Sequence, residues 1–138
     1  MRRFLAVLAC VLSTPALLAQ SQAPAQPAKY VPPVKGTATI EVIQAPSKTI
    51  GKEIVTVLKV RNTSSGSINL LSVEEYWYDK KLNMVTGDQY RHKKAPILPG
   101  EIVEITLRSP VKPDLYRSQV TFRHANGEVK PTQVKAFK

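Results

Sequence analysis

The chain has 138 residues, with 20 Lys and Arg against 10 Asp and Glu and a single cysteine. That length suits one domain behind a leader and not two, and 43% hydrophobic with 22% charged residues excludes disorder throughout. One cysteine excludes an intramolecular disulfide and any cysteine-based metal centre, and the net charge of +10 favours anionic surroundings while saying nothing of fold.

The N-terminus predicts export. Arg2 and Arg3 precede an apolar run, Phe4 to Leu12; Ser13-Thr14-Pro15 breaks it, and Ala16-Leu17-Leu18-Ala19 offers a small residue for cleavage. This is the order of a secretory signal peptide over residues 1–19, with a second possible cut after Ala25. The run is too short, and too interrupted by Pro15, to remain as a membrane anchor. No later segment is apolar enough to be a transmembrane helix. Val7-Leu8-Ala9-Cys10 has the outline of a bacterial lipobox, but the apolar stretch before Cys10 is brief and continues beyond it, which argues against a lipoprotein. The expected location is periplasmic or extracellular. Only Arg2 and Arg3 leave with the signal, so the mature chain keeps a net charge of +8 and no cysteine.

Residues 20–36, with Pro24, Pro27, Pro32 and Pro33 and no apolar periodicity, predict a semi-extended spacer; a polyproline ligand around Tyr30-Val31-Pro32-Pro33 is the alternative. From residue 37 to 138 the period is two. Thr37 to Val42 alternates, with Ala38, Ile40 and Val42 on one face. Glu53 to Arg61 follows, with Leu58 and Val60 inward and Lys59 and Arg61 outward, and Asn62 to Ser67 is a turn cluster. Ile68 to Tyr78 sets Leu71, Val73 and Trp77 on one side, where Glu75 also falls, either at the end of the core or through an error of register. Asp79 to Asn83 reads as a turn and Met84 to Tyr90 as a weak strand.

Pro99-Gly100 then leads into Glu101 to Arg108, where Val103, Ile105 and Leu107 face inward. Leu115 to His124 places Tyr116, Ser118, Val120 and Phe122 inward and Arg117, Gln119, Thr121 and Arg123 outward. Asn126-Gly127 supplies the pair that a type I′ hairpin wants, and a last strand interrupted by Pro131 reads as an edge. Seven alternating strands and no helix predict an all-β, antiparallel sandwich of immunoglobulin type, its core built on Leu58, Val60, Val73, Trp77, Val103, Ile105, Leu107, Tyr116, Val120 and Phe122. Trp77 is expected to contribute most. Pro113 to Ser118 has the outline of a tyrosine corner centred on Tyr116, a plain strand tyrosine being the alternative.

Three stretches carry a family likeness: Val57 to Thr63, a strand ending in Arg-Asn; Tyr76-Trp77-Tyr78-Asp79; and Leu98-Pro99-Gly100-Glu101 at the entry of the next strand. Together they resemble the FxLYD-type immunoglobulin-like domains of exported prokaryotic proteins, across about residues 53 to 123. Glu75 stands where that family has its leading Phe, Trp77 replaces its Leu, and Tyr78-Asp79 match. The resemblance implies an immunoglobulin-like fold without enzymatic activity, and no ligand.

The residues themselves point to no catalytic site and to no bound metal or cofactor. His92 and His124 are the only histidines; His92 sits among cations, which repel a metal ion, and His124 precedes a turn. Glu74 and Glu75 are adjacent on a strand and face opposite ways, so they cannot act as a carboxylate pair. No phosphate-binding glycine loop, nucleophile elbow or zinc-protease helix motif occurs. The remaining candidates are basic: Arg91, His92, Lys93 and Lys94 in one dense loop, and Arg117 and Arg123 on an outward strand face. Such residues can meet lipid phosphate or wall polymer, or simply keep a surface solvated. With no recognition helix or stacking platform in the sequence, sequence-specific nucleic-acid reading is not expected.

These observations predict a non-catalytic interaction or structural module of the cell envelope, whose partner is an envelope protein or an anionic polymer. The alternatives are an electrostatic binder of anionic envelope material, and an accessory subunit or inhibitor of an exported enzyme.

Overall fold

The computed structural model describes residues 30–138. The expected signal peptide, Cys10 and most of the expected spacer lie outside the described residues. Among those described there are eight strands and no helix: β1 (Ala38–Gln44), β2 (Lys48–Ile50), β3 (Glu53–Asn62), β4 (Ser72–Tyr78), β5 (Met84–Arg91), β6 (Ile102–Pro110), β7 (Arg117–His124) and β8 (Gly127–Gln133). The expectation of an all-β chain holds. The short β2, wholly exposed, had no apolar alternation to announce it.

The strands form one mixed, curled sheet. β6 runs antiparallel along one edge of β3, while β1 and β2 share the other edge end to end. β1 then pairs with β8 in parallel, Ala38 opposite Val129 through Val42 opposite Gln133. β8 also pairs antiparallel with β7, β7 with β4, and β4 with β5. The terminal strand is therefore no simple edge: it joins β1 to β7, but β7 is laddered only to Gly127 and Glu128, so Pro131 stands where β8 is paired on the β1 side alone. β6 and β5 are the two ends of the sheet. They come together as it curls, but no ladder joins them.

The alternation of each strand now has a cause. Ala38, Ile40 and Val42 of β1, Leu58 and Val60 of β3, Val73 of β4, Ile105 and Leu107 of β6, Phe122 of β7 and Val129 of β8 meet in one buried cluster. Val103 and Val120 pack against it, half-buried. Three further members come from outside the strands: Ile68 and Leu71 before β4, and Ile97 before β6. Ile68 and Ile97 exchange two backbone hydrogen bonds of 2.9 Å, so the expected strand from Ile68 starts only at Ser72. Asn62 holds these loops together, its buried amide donating to the carbonyls of Gly66 and Ile97 at 2.9 Å each.

Several expectations are corrected. Tyr116 is 62% exposed and belongs to no core, so no tyrosine corner is made. The turn ahead of it puts Asp114 at φ 65°, which breaks the alternation before β7 begins at Arg117. Trp77 is only half-buried at the end of β4, beside a register shift between Trp77 and Tyr78, and lies outside the central cluster. The β7–β8 turn is Ala125-Asn126, one residue earlier than expected. Neither residue has a positive φ, so it is not type I′. The spacer ends sooner than residue 36: Val34 donates to the Ser67 carbonyl at 2.9 Å, Ser67 donates back to Pro32 at 3.0 Å, and Val34 packs on the core.

Glu75 resolves the question left open by its register. The register is right, and the carboxyl is fully buried. Thr56 of β3 donates to its Oε1 at 2.7 Å and Ser109 of β6 to its Oε2 at 2.9 Å. The Ser47 hydroxyl lies 2.7 Å from that of Thr56 and extends the chain. A buried acid is costly unless its oxygens are hydrogen-bonded, and here both are. These bonds tie β4 to the β3–β6 half of the sheet through its interior.

Candidate functional site

β4 lies between β5 and β7, and the face turned away from Val73 and Glu75 is laid out in four rows. Arg91, Ser72 and Arg123 form one row across the three strands. Gln89, Glu74 and Thr121 form the next, then Gly87, Tyr76 and Gln119. Met84, Tyr78 and Arg117 form the last. Period-two alternation within each strand and the pairing of β4 with β5 and β7 put these residues together, the register shift at Tyr78 bringing Met84 into the last row.

The Arg91–Ser72–Arg123 row carries the clearest feature. Two exposed guanidinium groups flank a serine too small to fill the space between them. The result is a groove of about 410 Å³, lined also by Leu70, Glu74 and Ala125. Leu70, at φ 49° and 49% exposed, forms its outer wall. A second hollow of about 270 Å³ shares Leu70 and Ala125 and adds Lys94, Pro96 and Asn126. Arg91, Lys94 and Arg123 are thus gathered at one end of the sheet.

The other candidates part company. Lys93 is exposed and lines neither hollow. Arg117 is six residues along β7 from Arg123, about 20 Å away at a strand's rise, beside Tyr78. His92 is 6% exposed, and its role is internal. Its Nδ1 is 3.1 Å from the Tyr90 hydroxyl, its Nε2 is 3.3 Å from the Ala95 carbonyl, and its backbone N–H donates to Leu71 at 2.8 Å. His92 therefore anchors the loop that carries Lys93 and Lys94, and the expectation that it contacts a partner is corrected. His124 is likewise buried, its Nε2 2.6 Å from the Gly36 carbonyl.

Further along β4, Glu74 and Tyr76 make a polar pair. The Tyr76 hydroxyl donates to Glu74 Oε2 at 2.5 Å, and Gln89 Nε2 donates to Glu74 Oε1 at 3.2 Å. The hydrogen bond to Glu74 holds the Tyr76 phenol above its ordinary range, because ionising it would lose the bond and set two anions together. Opposite Tyr76, Gly87 leaves the face bare. A Cβ there would stand 2.3 Å from the Glu75 carbonyl oxygen, so no larger residue fits without moving backbone. A recess of about 390 Å³ opens here, lined by Glu74, Tyr76, Met84, Gly87 and Gln89.

Sequence reasoning missed Ser72, Glu74, Tyr76 and Gly87 as parts of a site. The alternation of β4 was a usable signal for the first three, and a lone glycine inside a strand signals close backbone approach. Arg91 was read as loop, whereas it closes β5 and shares a row with Arg123. Among the described residues, no three His, Cys, Asp or Glu side chains group as metal ligands, and no helix is long and apolar enough to cross a membrane.

No family model matches the chain, and no curated protein does. A solved structure of IrmA from Escherichia coli is similar over 68% of this chain and 91% of that one, with a TM-score of 0.45 and 9% identity. A likeness so loose assigns neither family nor activity.

Proposed function

We propose that the chain is an exported, non-catalytic interaction module of the cell envelope that holds an anionic partner at the Arg91–Ser72–Arg123 groove. In this reading the curled sheet is an immunoglobulin-like sandwich of the FxLYD kind, and the leader pattern of residues 1–19 carries it out of the cytoplasm. The observation that carries the proposal is the convergence of two exposed arginines, from strands on either side of β4, over one small serine, with Lys94 next to them. Paired guanidinium groups are suited to bidentate contact with carboxylate, sulfate or phosphate oxygens.

The test is retention on immobilised heparin as salt is raised. Arg91→Glu combined with Arg123→Glu lowers the eluting salt concentration sharply, whereas Arg117→Glu, remote from the groove, lowers it only slightly. Equal effects of the two changes would reduce the groove to general surface charge and defeat the proposal.

A further inference from the structure

The groove does not end at the arginines. The hollow beside Lys94 shares Leu70 and Ala125 with it, and the recess beside Gly87 shares Glu74. Set side by side along β4, the three form a trough that one extended ligand can occupy. From Ser72 to Tyr76 alone it runs about 13 Å, the rise of four strand residues, so its natural occupant is a chain rather than a single ion.

The chemistry changes along its length. One end carries Arg91, Arg123 and Lys94. The middle carries Glu74, whose two oxygens each accept one hydrogen bond within the protein and retain a lone pair for a further donor. The far end offers the Tyr76 ring, the thioether of Met84, the Gln89 amide and the side-chain-free backbone at Gly87, with the Asp88 carboxylate also in its lining, so it suits a neutral group. Half-buried Tyr presents an apolar face beside a polar tip, a surface suited to a ligand with both characters. A polyanion charged at every unit, such as nucleic acid or a polysulfate, would set negative charge against Glu74. A lipid phosphate would occupy only the arginine end.

We infer that this trough binds an acidic glycan in which charged and neutral sugar rings alternate, the acid group seated between Arg91 and Arg123 and a neutral ring lying on Tyr76 over Gly87. The inference rests on the anion-binding reading above and adds the ligand class. Sugar hydroxyls donate to Glu74 and to the Gln89 side-chain carbonyl, the Gln89 amide N–H groups being held by Ser72 and Glu74, and the carbon-bound face of the ring covers the phenol.

The test uses the exported chain and a hyaluronan hexasaccharide, whose uronates alternate with neutral rings, titrated calorimetrically at low salt. Dextran sulfate, inorganic phosphate and phosphatidylglycerol vesicles serve as comparators. The hexasaccharide is expected to bind more tightly than inorganic phosphate. Arg91→Ala with Arg123→Ala weakens it by about tenfold or more, the loss of a charge-assisted hydrogen bond. Tyr76→Ser weakens it about two- to tenfold and leaves dextran sulfate unchanged. Gln89→Ala, on an exposed edge residue, acts in the same direction and keeps the test open should Tyr76→Ser unfold the domain. If dextran sulfate or vesicles bind as well as the hexasaccharide, or if Tyr76→Ser and Gln89→Ala leave it unaffected, the glycan inference falls and simple anion binding stands. If no anion depends on Arg91 and Arg123, both readings fall.

Discussion

Glu75 shows how much one side chain can decide. Its place on the inner face followed from alternation, yet what makes the place tolerable lies on other strands: Thr56 from β3 and Ser109 from β6. Thr56→Val removes a donor of nearly equal shape and leaves a buried carboxyl oxygen unpaired, at a cost of about 1–3 kcal/mol. Chemical denaturation should show that loss, and an unchanged midpoint would mean that the Thr56 bond contributes nothing. Asp79 acts at the surface instead. The backbone N–H of Asn83, with help from the Asn83 amide and the Lys81 N–H, holds its carboxyl below the usual carboxylate range. A carboxyl depressed on folding stabilises above its unfolded pKa, and that contribution is lost as pH falls through the folded value. Asp79→Ala should therefore lower the melting temperature at neutral pH, and the gap should close in acid; a gap independent of pH would contradict this account.

At the scale of the element, the seam between β5 and β6 is the informative place. The two end strands meet without a ladder, and one carboxylate covers both backbones. Asp88 Oδ1 accepts from the Gln89 N–H at 2.8 Å, and Asp88 Oδ2 accepts from the Arg108 N–H at 2.7 Å. Uncovered strand edges recruit other strands, and an acidic side chain laid over them is a common protection. Asp88→Ala should expose both N–H groups, and light scattering should then detect concentration-dependent association. A variant as monodisperse as the parent chain would show that the edge needs no cover. The sequence predicted β5 as a weak strand but could not indicate this role, since Arg108 lies twenty residues away on a strand that meets β5 only through the curl.

For the whole molecule, the readable and the unreadable separate along the same line. The all-β class, most strand positions, the turns at Asp79 and Pro99-Gly100, and the inward set from Leu58 to Phe122 were visible because each depends on neighbours one or two residues away. Gly100, at φ 81°, and the Glu101 N–H donating to Leu98 at 3.0 Å are what a Pro-Gly pair prescribes locally. Tyr116 and Trp77 misled because periodicity cannot say where the opposite layer ends. The basic residues were visible as charge and invisible as a site. Their grouping depends on which strands pair: β4 lies between β5 and β7, so Arg91 and Arg123 meet across Ser72 while Arg117 is left at the far end. His92 turned inward for a comparable reason, its partners being set by how the loop closes on Tyr90 and Ala95.

Composition, alternation and turn chemistry by themselves determined that this chain makes strands, most of the residues that those strands hide, and that cations dominate what remains outside. Only the tertiary structure decided that the sheet curls through a parallel β1–β8 pairing, that a buried acid joins its halves, and that Arg91, Arg123 and Lys94 line adjoining hollows. Strand formation is encoded in side chains a few residues apart, whereas strand order and closure arise from contacts between residues that are distant in sequence and are chosen by the packing of the whole core.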